Sequence, residues 1–368
     1  MKKLRLKETL FPVQRTEHRI ILGTMTYGIG HELQDNTDDH LWQLLLLLDG
    51  TKTTKEIISL FHKKTGLTKA SIRDTIDTLL GEGFLEDAGA LTPKNLTTQE
   101  LERYERSSRY FSLVDRKKRS SPLAIQARLK DATVTILGLG AVGTSVAIGL
   151  VKTGVGTISV VDFDNVSVAN LNRQLLFDDT DVGKKKVSVG TQKLQVMNPY
   201  VRIVGVEKKL VSRQDVDEAT QGSDLVIVCA DEPFEKLRSW VNAVALKKNI
   251  PWIETHLSGP VVGVSLFLPW ETPCYECVLH AGKEEVKQLE LKNPKDLERP
   301  VEQSAIAPTV IIAGQLVVLE AIAYLGDLLP RTSGKQFRQN LLLLDDASLT
   351  PLVFWSRCPA CSTKKSRT

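Results

Sequence analysis

The sequence predicts an α/β protein, with a mostly parallel sheet covered by helices on both faces and a smaller winged helix-turn-helix-like domain before it. Three observations carry this expectation. From residue 130 onward, nearly continuous apolar β-prone segments alternate with helical ones, as strands buried on both faces do. A glycine-rich turn, "GLGAVG" (138–143), ends the first of those strands and opens the next helix. Residues 1–90 show a different order, two β-prone segments, three helical ones and a short wing; a chain of 368 residues has room for two such domains.

In the first domain, "HRIILG" (18–23) and "TYGIGHEL" (26–33) read as strands. Segment 39–48 is apolar nearly all round and reads as a buried helix. A second helix starts at "TTKEIISLF", with Thr54 as N-cap and Ile57, Ile58, Leu60 and Phe61 inward. A third sets Ile72, Ile76, Leu79 and Leu80 on one face and stops at Gly81 and Gly83, and "GFLEDAGALT" supplies the wing. Residues 91–108 read as a polar linker that turns helical at "TTQELERYERSSRYF". Residues 109–368 form the second domain, with strands at "ATVTILG", "TISVVD", "VRIVGVEKKL", "DLVIVCAD" and "PWIETH". Helices follow Gly143, lie near 183–197 and run through "EKLRSWVNAVALKK".

Charged residues at 25% and apolar residues at 42% are ordinary for a soluble protein. A net charge of +4 does not imply nucleic acid, and the third helix balances Lys69 and Arg73 with Asp74 and Asp77, a poor surface for phosphates. The basic start lacks an apolar core of signal-peptide length, so the expectation is a cytoplasmic protein with neither nucleic acid nor membrane as partner. In a reducing compartment the pairs Cys274/Cys277 and Cys358/Cys361 suit metal better than disulfides. Two CxxC turns supply four thiolates, the closed tetrahedral set of a structural zinc site. Cys229, in an apolar strand, reads as a small buried hydrophobe.

Gly138, Gly140 and Gly143 stand where backbone N–H groups and a helix N-terminus receive phosphate. Asp162 ends the following strand, placed to accept a ribose hydroxyl. Those four residues alone would suit an NAD oxidoreductase. The continuation "NLNRQ" (170–174) and "GKKK" (183–186) does not. Cleavage between the α- and β-phosphates of ATP needs cations beside developing negative charge, a need that Arg173 and Lys186 meet. Asp231, ending the strand "DLVIVCAD", stands where a parallel sheet presents ligands and suits Mg²⁺.

From about residue 100 to 361 the chain resembles the adenylating enzymes of the ThiF/MoeB and ubiquitin-activating superfamily. The resemblance rests on "RYERS" (103–107), "GLGAVG", "DFDNVSVANLNRQ" (162–174), Lys186, "CAD" (229–231), "CYEC" (274–277) and "CPAC" (358–361), seven motifs in order. It implies a Rossmann-like adenylation domain that binds ATP through Gly140, Asp162, Asn170, Arg173, Gln174 and Lys186, with Mg²⁺ on Asp231. It also implies a homodimer in which Arg106, or its neighbours Arg103 or Arg109, crosses to the partner's ATP.

Residues 1–90 in turn resemble the leader-peptide recognition element of enzymes that make peptide natural products, which implies an extended leader added along a strand edge and a helix groove. Family members that pass an acyl group to sulfur carry a cysteine in a loop that here is "KEEVKQLELKNPKDLERPVEQ" (283–303), without cysteine. Together these features resemble the members that modify ribosomal precursor peptides, the microcin C and pantocin A enzymes among them. The expected activity is adenylation of a precursor-peptide carboxylate for dehydrative bond formation in peptide antibiotic biosynthesis. A pantocin-like outcome, ring closure at a Glu side chain, is preferred on architecture over a phosphoramidate. The alternatives are an adenylyltransferase for a Gly-Gly-ended sulfur carrier, and a scaffold that only presents peptides. Lys283, Glu284, Glu285 and Arg299 lie on the loop that a core peptide would meet, and solvated surface is the simpler reading of each. His256, after "PWIET", reads as a strand-end structural residue.

Overall fold

The structure, a computed structural model, describes residues 2–23, 30–288, 304–343 and 345–362. The chain divides into two compact units, Met1–Arg128 and Leu129–Thr368, so the first takes in more than the 1–90 block, and the 91–108 segment belongs with it. In chain order the first unit holds β1 (Leu4–Leu6), β2 (Val13–Arg15), β3 (Arg19–Leu22), β4 (His31–Gln34), α1 (His40–Leu47), α2 (Thr54–Thr65), α3 (Lys69–Gly81), β5 (Leu85–Asp87), α4 (Thr98–Arg103) and α5 (Glu105–Val114). Strands β2, β3 and β4 form an antiparallel sheet, and the wing strand β5 pairs antiparallel with β1. The strand expected over 26–33 is seen from His31 on; its residues 26–29 lie outside the described residues.

The buried faces of α2 and α3 meet in a core of Ile57, Phe61, Ile72 and Ile76. Leu60, expected inward, is 48% exposed. At about 100° per residue it sits roughly 100° from the centre of the stripe formed by Ile57, Ile58 and Phe61. The cap also moves by one residue. Thr53, not Thr54, caps α2, its Oγ1 accepting from Glu56 N–H while the Glu56 carboxylate accepts from Thr53 N–H at 2.7 Å; Thr54 Oγ1 donates to Lys2 O at 3.2 Å. Replacing Thr53 by alanine is expected to cost about 1 kcal/mol of stability, read as a lower urea midpoint. The buried Lys7 explains why the 91–128 segment joins this unit, since its Nζ donates to Asp115 O at 2.9 Å, just past α5.

After α6 (Ala124–Asp131), which spans the division, come β6 (Thr133–Leu137), α7 (Ala141–Thr153), β7 (Thr157–Asp162), α8 (Lys186–Met197), β8 (Arg202–Glu207), α9 (Arg213–Ala219), β9 (Leu225–Val228), α10 (Phe234–Lys248) and β10 (Trp252–Ser258). These are followed by β11 (Val261–Phe267), α11 (Tyr275–Gln288), α12 (Ala307–Leu325), β12 (Lys335–Asn340) and β13 (Ala347–Pro351). The eight strands order as β13-β12-β11-β10-β9-β6-β7-β8. From β10 to β8 every pairing is parallel, as expected, whereas β10 to β13 extend the sheet antiparallel. Helix α12 is long and apolar enough to cross a membrane by composition; half of that stretch is buried, and α12 packs on α7, β10 and β11.

Candidate functional site

At the carboxyl ends of β6, β7 and β9 the chain makes a tight knot of backbone. Gly138 N–H donates to Val161 O at 2.8 Å, and Leu139 N–H donates to the buried Asp162 carboxylate at 2.7 Å. The other oxygen of Asp162 accepts from Asp164 N–H at 2.8 Å. Asp162 therefore fixes the glycine turn as well as standing at the strand end where a ribose would be read. Gly138 has φ 98°, and a Cβ there would lie 2.7 Å from Ala230 N; the residue must be glycine for the turn to rest on the "CAD" segment. At Gly143 a Cβ would fall 2.0 Å from Gly138 O. Gly140, the N-cap of α7, differs: nothing lies within 4 Å of a Cβ built on it, and no side chain caps the helix. Open space in front of uncapped N–H groups suits a phosphate. Gly138→Ala is expected to lower stability by about 2 kcal/mol, since a left-handed backbone and a backbone clash coincide, read by thermal unfolding.

Beyond β7 the chain turns at Asn170, whose Oδ1 accepts from Ser167 N–H at 3.1 Å. Arg173 folds back on the same turn, donating to Ala169 O at 2.6 Å. Gln174 is buried, and its Oε1 has no hydrogen-bond partner, which leaves an acceptor for a ligand N–H or O–H. Lys186, at the start of α8 and buried, pairs with Asp164 at 3.0 Å. The fold thus gathers Gly138, Gly140, Gly143, Asp162, Asn170, Arg173, Gln174 and Lys186 on adjoining elements, and Asp231 follows β9 on the segment that supports the glycine turn. These residues fit a nucleoside triphosphate. Arg106 lies on α5 of the other unit, 89% exposed and paired with Glu105 at 3.2 Å. Arg103 ends α4, and Arg109 also pairs with Glu105.

Two features were not foreseen. Asp164 is the resting partner of Lys186, a role signalled only by the second aspartate of "DFDN". Arg238 of α10, 2% exposed, donates through Nε to Glu254 of β10 at 2.7 Å; burial pushes the Glu254 carboxyl up, and the Arg238 charge opposes that. The fifth cysteine, Cys229, is buried as expected, and burial pushes its thiol up with the Asp231 charge adding to it.

Cys274, Cys277, Cys358 and Cys361 are all buried, with their four sulfurs within 4.8 Å of one another. The Sγ separations are 3.9 Å for Cys274–Cys277, 3.6 Å for Cys274–Cys358 and 3.6 Å for Cys277–Cys361. Tetrahedral thiolates about 2.3 Å from a zinc ion stand about 3.8 Å apart, so the cluster fits one cation. Trp355 N–H donates to Cys277 Sγ at 3.4 Å, and the Trp355 ring stacks on His280 with centroids 4.0 Å apart. Both contacts hold the C-terminal turn over the cluster. Lys283, Glu284 and Glu285 are exposed along α11, whereas Arg299 and most of the cysteine-free loop lie outside the described residues.

Among curated proteins the chain is similar to the sulfur carrier protein ThiS adenylyltransferase of Escherichia coli, 30% identical over 64% of this chain and 88% of that protein. It is also similar to the molybdopterin-synthase adenylyltransferase of Salmonella typhimurium, 33% identical over 57% of this chain and 79% of that one. Among solved structures, Escherichia coli MccB has TM-score 0.76 at 21% identity over 98% of this chain and 97% of that one, and MccB with ATP has TM-score 0.72 over 97% and 99%. PaaA has TM-score 0.67 at 22% identity over 94% and 99%. The α/β fold expected from the sequence is the one these neighbours share. Residues 104–367 match the ThiF family, and with that match over most of its length the chain belongs to this family, as an ATP-dependent adenylating enzyme.

Proposed function

We propose that the protein adenylates a carboxylate of a ribosomally made precursor peptide, held by its leader on the first unit, as a step of peptide antibiotic maturation. One observation carries this reading. The adenylyltransferase of Escherichia coli aligns with 64% of the chain, whereas MccB, a microcin C7 biosynthetic enzyme solved with ATP and with MccA, is similar in fold over 98%, the first unit included. A carrier docked on an adenylation domain has no use for that unit, and a leader does. The exposed edges of the three-stranded sheet offer backbone to an extended peptide.

The chemistry follows from the groups at the site. A peptide carboxylate oxygen attacks the α-phosphorus of ATP, the bond to the bridging oxygen breaks, and pyrophosphate leaves with the electron pair. The acyl adenylate then carries a good leaving group for attack by a nucleophile of the peptide itself. Lys186 and Arg173 balance the charge that builds on the phosphates, the N–H groups at Gly140 receive it, and Gln174 Oε1 accepts from the nucleoside. Asp231 would hold Mg²⁺, whose charge would offset that of the departing pyrophosphate. The enzyme works as a cytoplasmic homodimer with Arg106 or a neighbouring arginine completing the partner's site, and zinc fills the cysteine cluster as a structural ion.

The sulfur-carrier reading has one observation in its favour, the 30% identity to a sulfur carrier protein adenylyltransferase and 33% to a molybdopterin-synthase adenylyltransferase. ATP–pyrophosphate exchange separates the readings. Exchange is expected with a leader-bearing precursor and is expected to fall at least about tenfold with the leaderless core. Exchange driven by a Gly-Gly-ended carrier instead would move the assignment to sulfur transfer, and tight peptide binding without exchange would leave a scaffold.

A further inference from the structure

The antiparallel extension of the sheet carries a polar row that the adenylation chemistry does not use. His256 on β10 pairs with Gly263 on β11, which pairs with Arg338 on β12; paired residues on adjacent strands point to one face. The next row toward the start of β10 is Glu254, Ser265 and Gln336, on the same face because the side-chain period is two. Arg238 of α10 seals that inner row through Glu254. Exposure rises along the face: Glu254 is buried, His256 half-buried and Arg338 exposed.

Gly263 makes the outer row a notch. A Cβ at 263 would lie 3.5 Å from His256 Cβ, 3.6 Å from Arg338 Cγ and 3.0 Å from Phe337 O, so the absent side chain leaves a floor of bare backbone between an imidazole and a guanidinium. Among the described residues the Arg338 side chain makes no hydrogen bond or ion pair, although its charge acts on Glu254 and His256. Arg338 is therefore the cation this face leaves for a ligand, and burial, then the Arg338 and Arg238 charges, hold the His256 pKa below its usual value. A notch with one free guanidinium and an imidazole N–H is made for an anion small enough to sit on a glycine, and bidentate recognition by arginine selects a carboxylate.

Its position says which one. Strands β9 to β12 are neighbours in the sheet, and continuing the Val228–Glu254 register by two residues sets His256 level with Ala230, beside Asp231; at about 4.8 Å per strand, the Gly263–Arg338 end of the row lies roughly 10–14 Å from that position. An extended peptide covers that span in about three or four residues. We propose that the Arg338–Gly263–His256 notch binds a second carboxylate of the peptide substrate, about three or four residues from the one being activated, and so sets which carboxyl reaches the ATP. This rests on the peptide-adenylation reading, and its source is either an acidic side chain or the peptide's C-terminus.

Histidine ring resonances of the full chain, with His256 identified by His256→Gln, test it without ATP. The probes are N-acetylglycinate, N-acetylglutamate α-amide and, as the uncharged control, N-acetylglutamine amide, at matched ionic strength. A saturable shift of His256 with a carboxylate and none with the control is expected, weakened about tenfold or more in Arg338→Gln and in Gly263→Ala. Response to N-acetylglycinate alone assigns a C-terminus, response to the glutamate probe alone assigns an acidic side chain, and response to both supports a carboxylate site open to either. A His256 that ignores both carboxylates, or that responds equally in Arg338→Gln, overturns the proposal. Pyrophosphate exchange on the same sample judges the enzyme reading separately: if exchange with peptides fails while His256 responds, the carboxylate site stands and its assignment to a peptide falls.

Discussion

Lys186→Met is expected to lower ATP–pyrophosphate exchange by about 10²–10³-fold with little change in stability, because one preorganised charge facing the transferring phosphate contributes on that order. The reasoning is geometric. Lys186 is buried at the start of α8 and held by Asp164 at 3.0 Å, and Asp164 is itself fixed by donating its backbone N–H to the Asp162 carboxylate at 2.8 Å. The ammonium is therefore aimed before substrate arrives and spends no side-chain entropy on binding. Methionine keeps the stem and its packing but not the charge, and leaves behind Asp164, whose side chain is 47% exposed and so remains solvated. A loss confined to the apparent ATP affinity, with the exchange rate at saturating ATP intact, would make Lys186 a binding residue only. Asp164→Asn sharpens the test, since it frees the ammonium without removing it: exchange should fall far less than in Lys186→Met, whereas an equal fall would mean that Asp164 itself contacts the nucleotide or its metal.

What could be read in the sequence was whatever the chain writes locally. The turn at Gly138–Gly143 is a short string whose residues answer to steric demands a few positions away, and the helices of the first unit follow from apolar spacing at Ile72, Ile76, Leu79 and Leu80, all buried. The paired cysteines are legible because each CxxC is itself a turn. What escaped was set by tertiary placement. Strand β13 is exposed at every residue and β12 at two of six, so neither shows an alternation that marks a half-buried strand. The Arg238–Glu254 pair joins a helix to a strand 16 residues on, and in sequence both look like surface charges. The Lys186–Asp164 pair spans 22 residues for the same reason. The shift of the α2 cap from Thr54 to Thr53 shows a finer limit, as two adjacent threonines offer equivalent hydroxyls and only the reach of Glu56 chooses between them.

The largest effect on stability is expected at the cysteine cluster. Cys277→Ser, or removal of the metal by a strong chelator, should lower the unfolding midpoint of the second unit by about 8–20 °C. The cluster ties the turn at Cys274–Cys277 to the C-terminal turn at Cys358–Cys361, a link across roughly 80 residues. Releasing a cross-link of that span returns about 4–5 kcal/mol of chain entropy to the unfolded state, and a unit of this size shifts by about 2–4 °C per kcal/mol. The local packing is too small to substitute for the ion: the cluster's apolar surroundings are Leu246 with the partly buried Trp270, Phe354, Trp355 and Ala360. The tail beyond β13 carries the second pair of sulfurs, and β13 is fully exposed, so without the ion that end of the chain is left to the antiparallel edge and the few contacts of Phe354 and Trp355. Metal analysis of the untreated protein should give about one zinc per chain and that of Cys277→Ser much less. A chelated protein that keeps its midpoint would show that the sulfurs pack as four buried thiols, and the zinc assignment would be withdrawn. If instead the midpoint falls while Lys186-dependent exchange at low temperature survives, the ion serves the scaffold and takes no part in the chemistry, as a closed four-sulfur site with no open position requires.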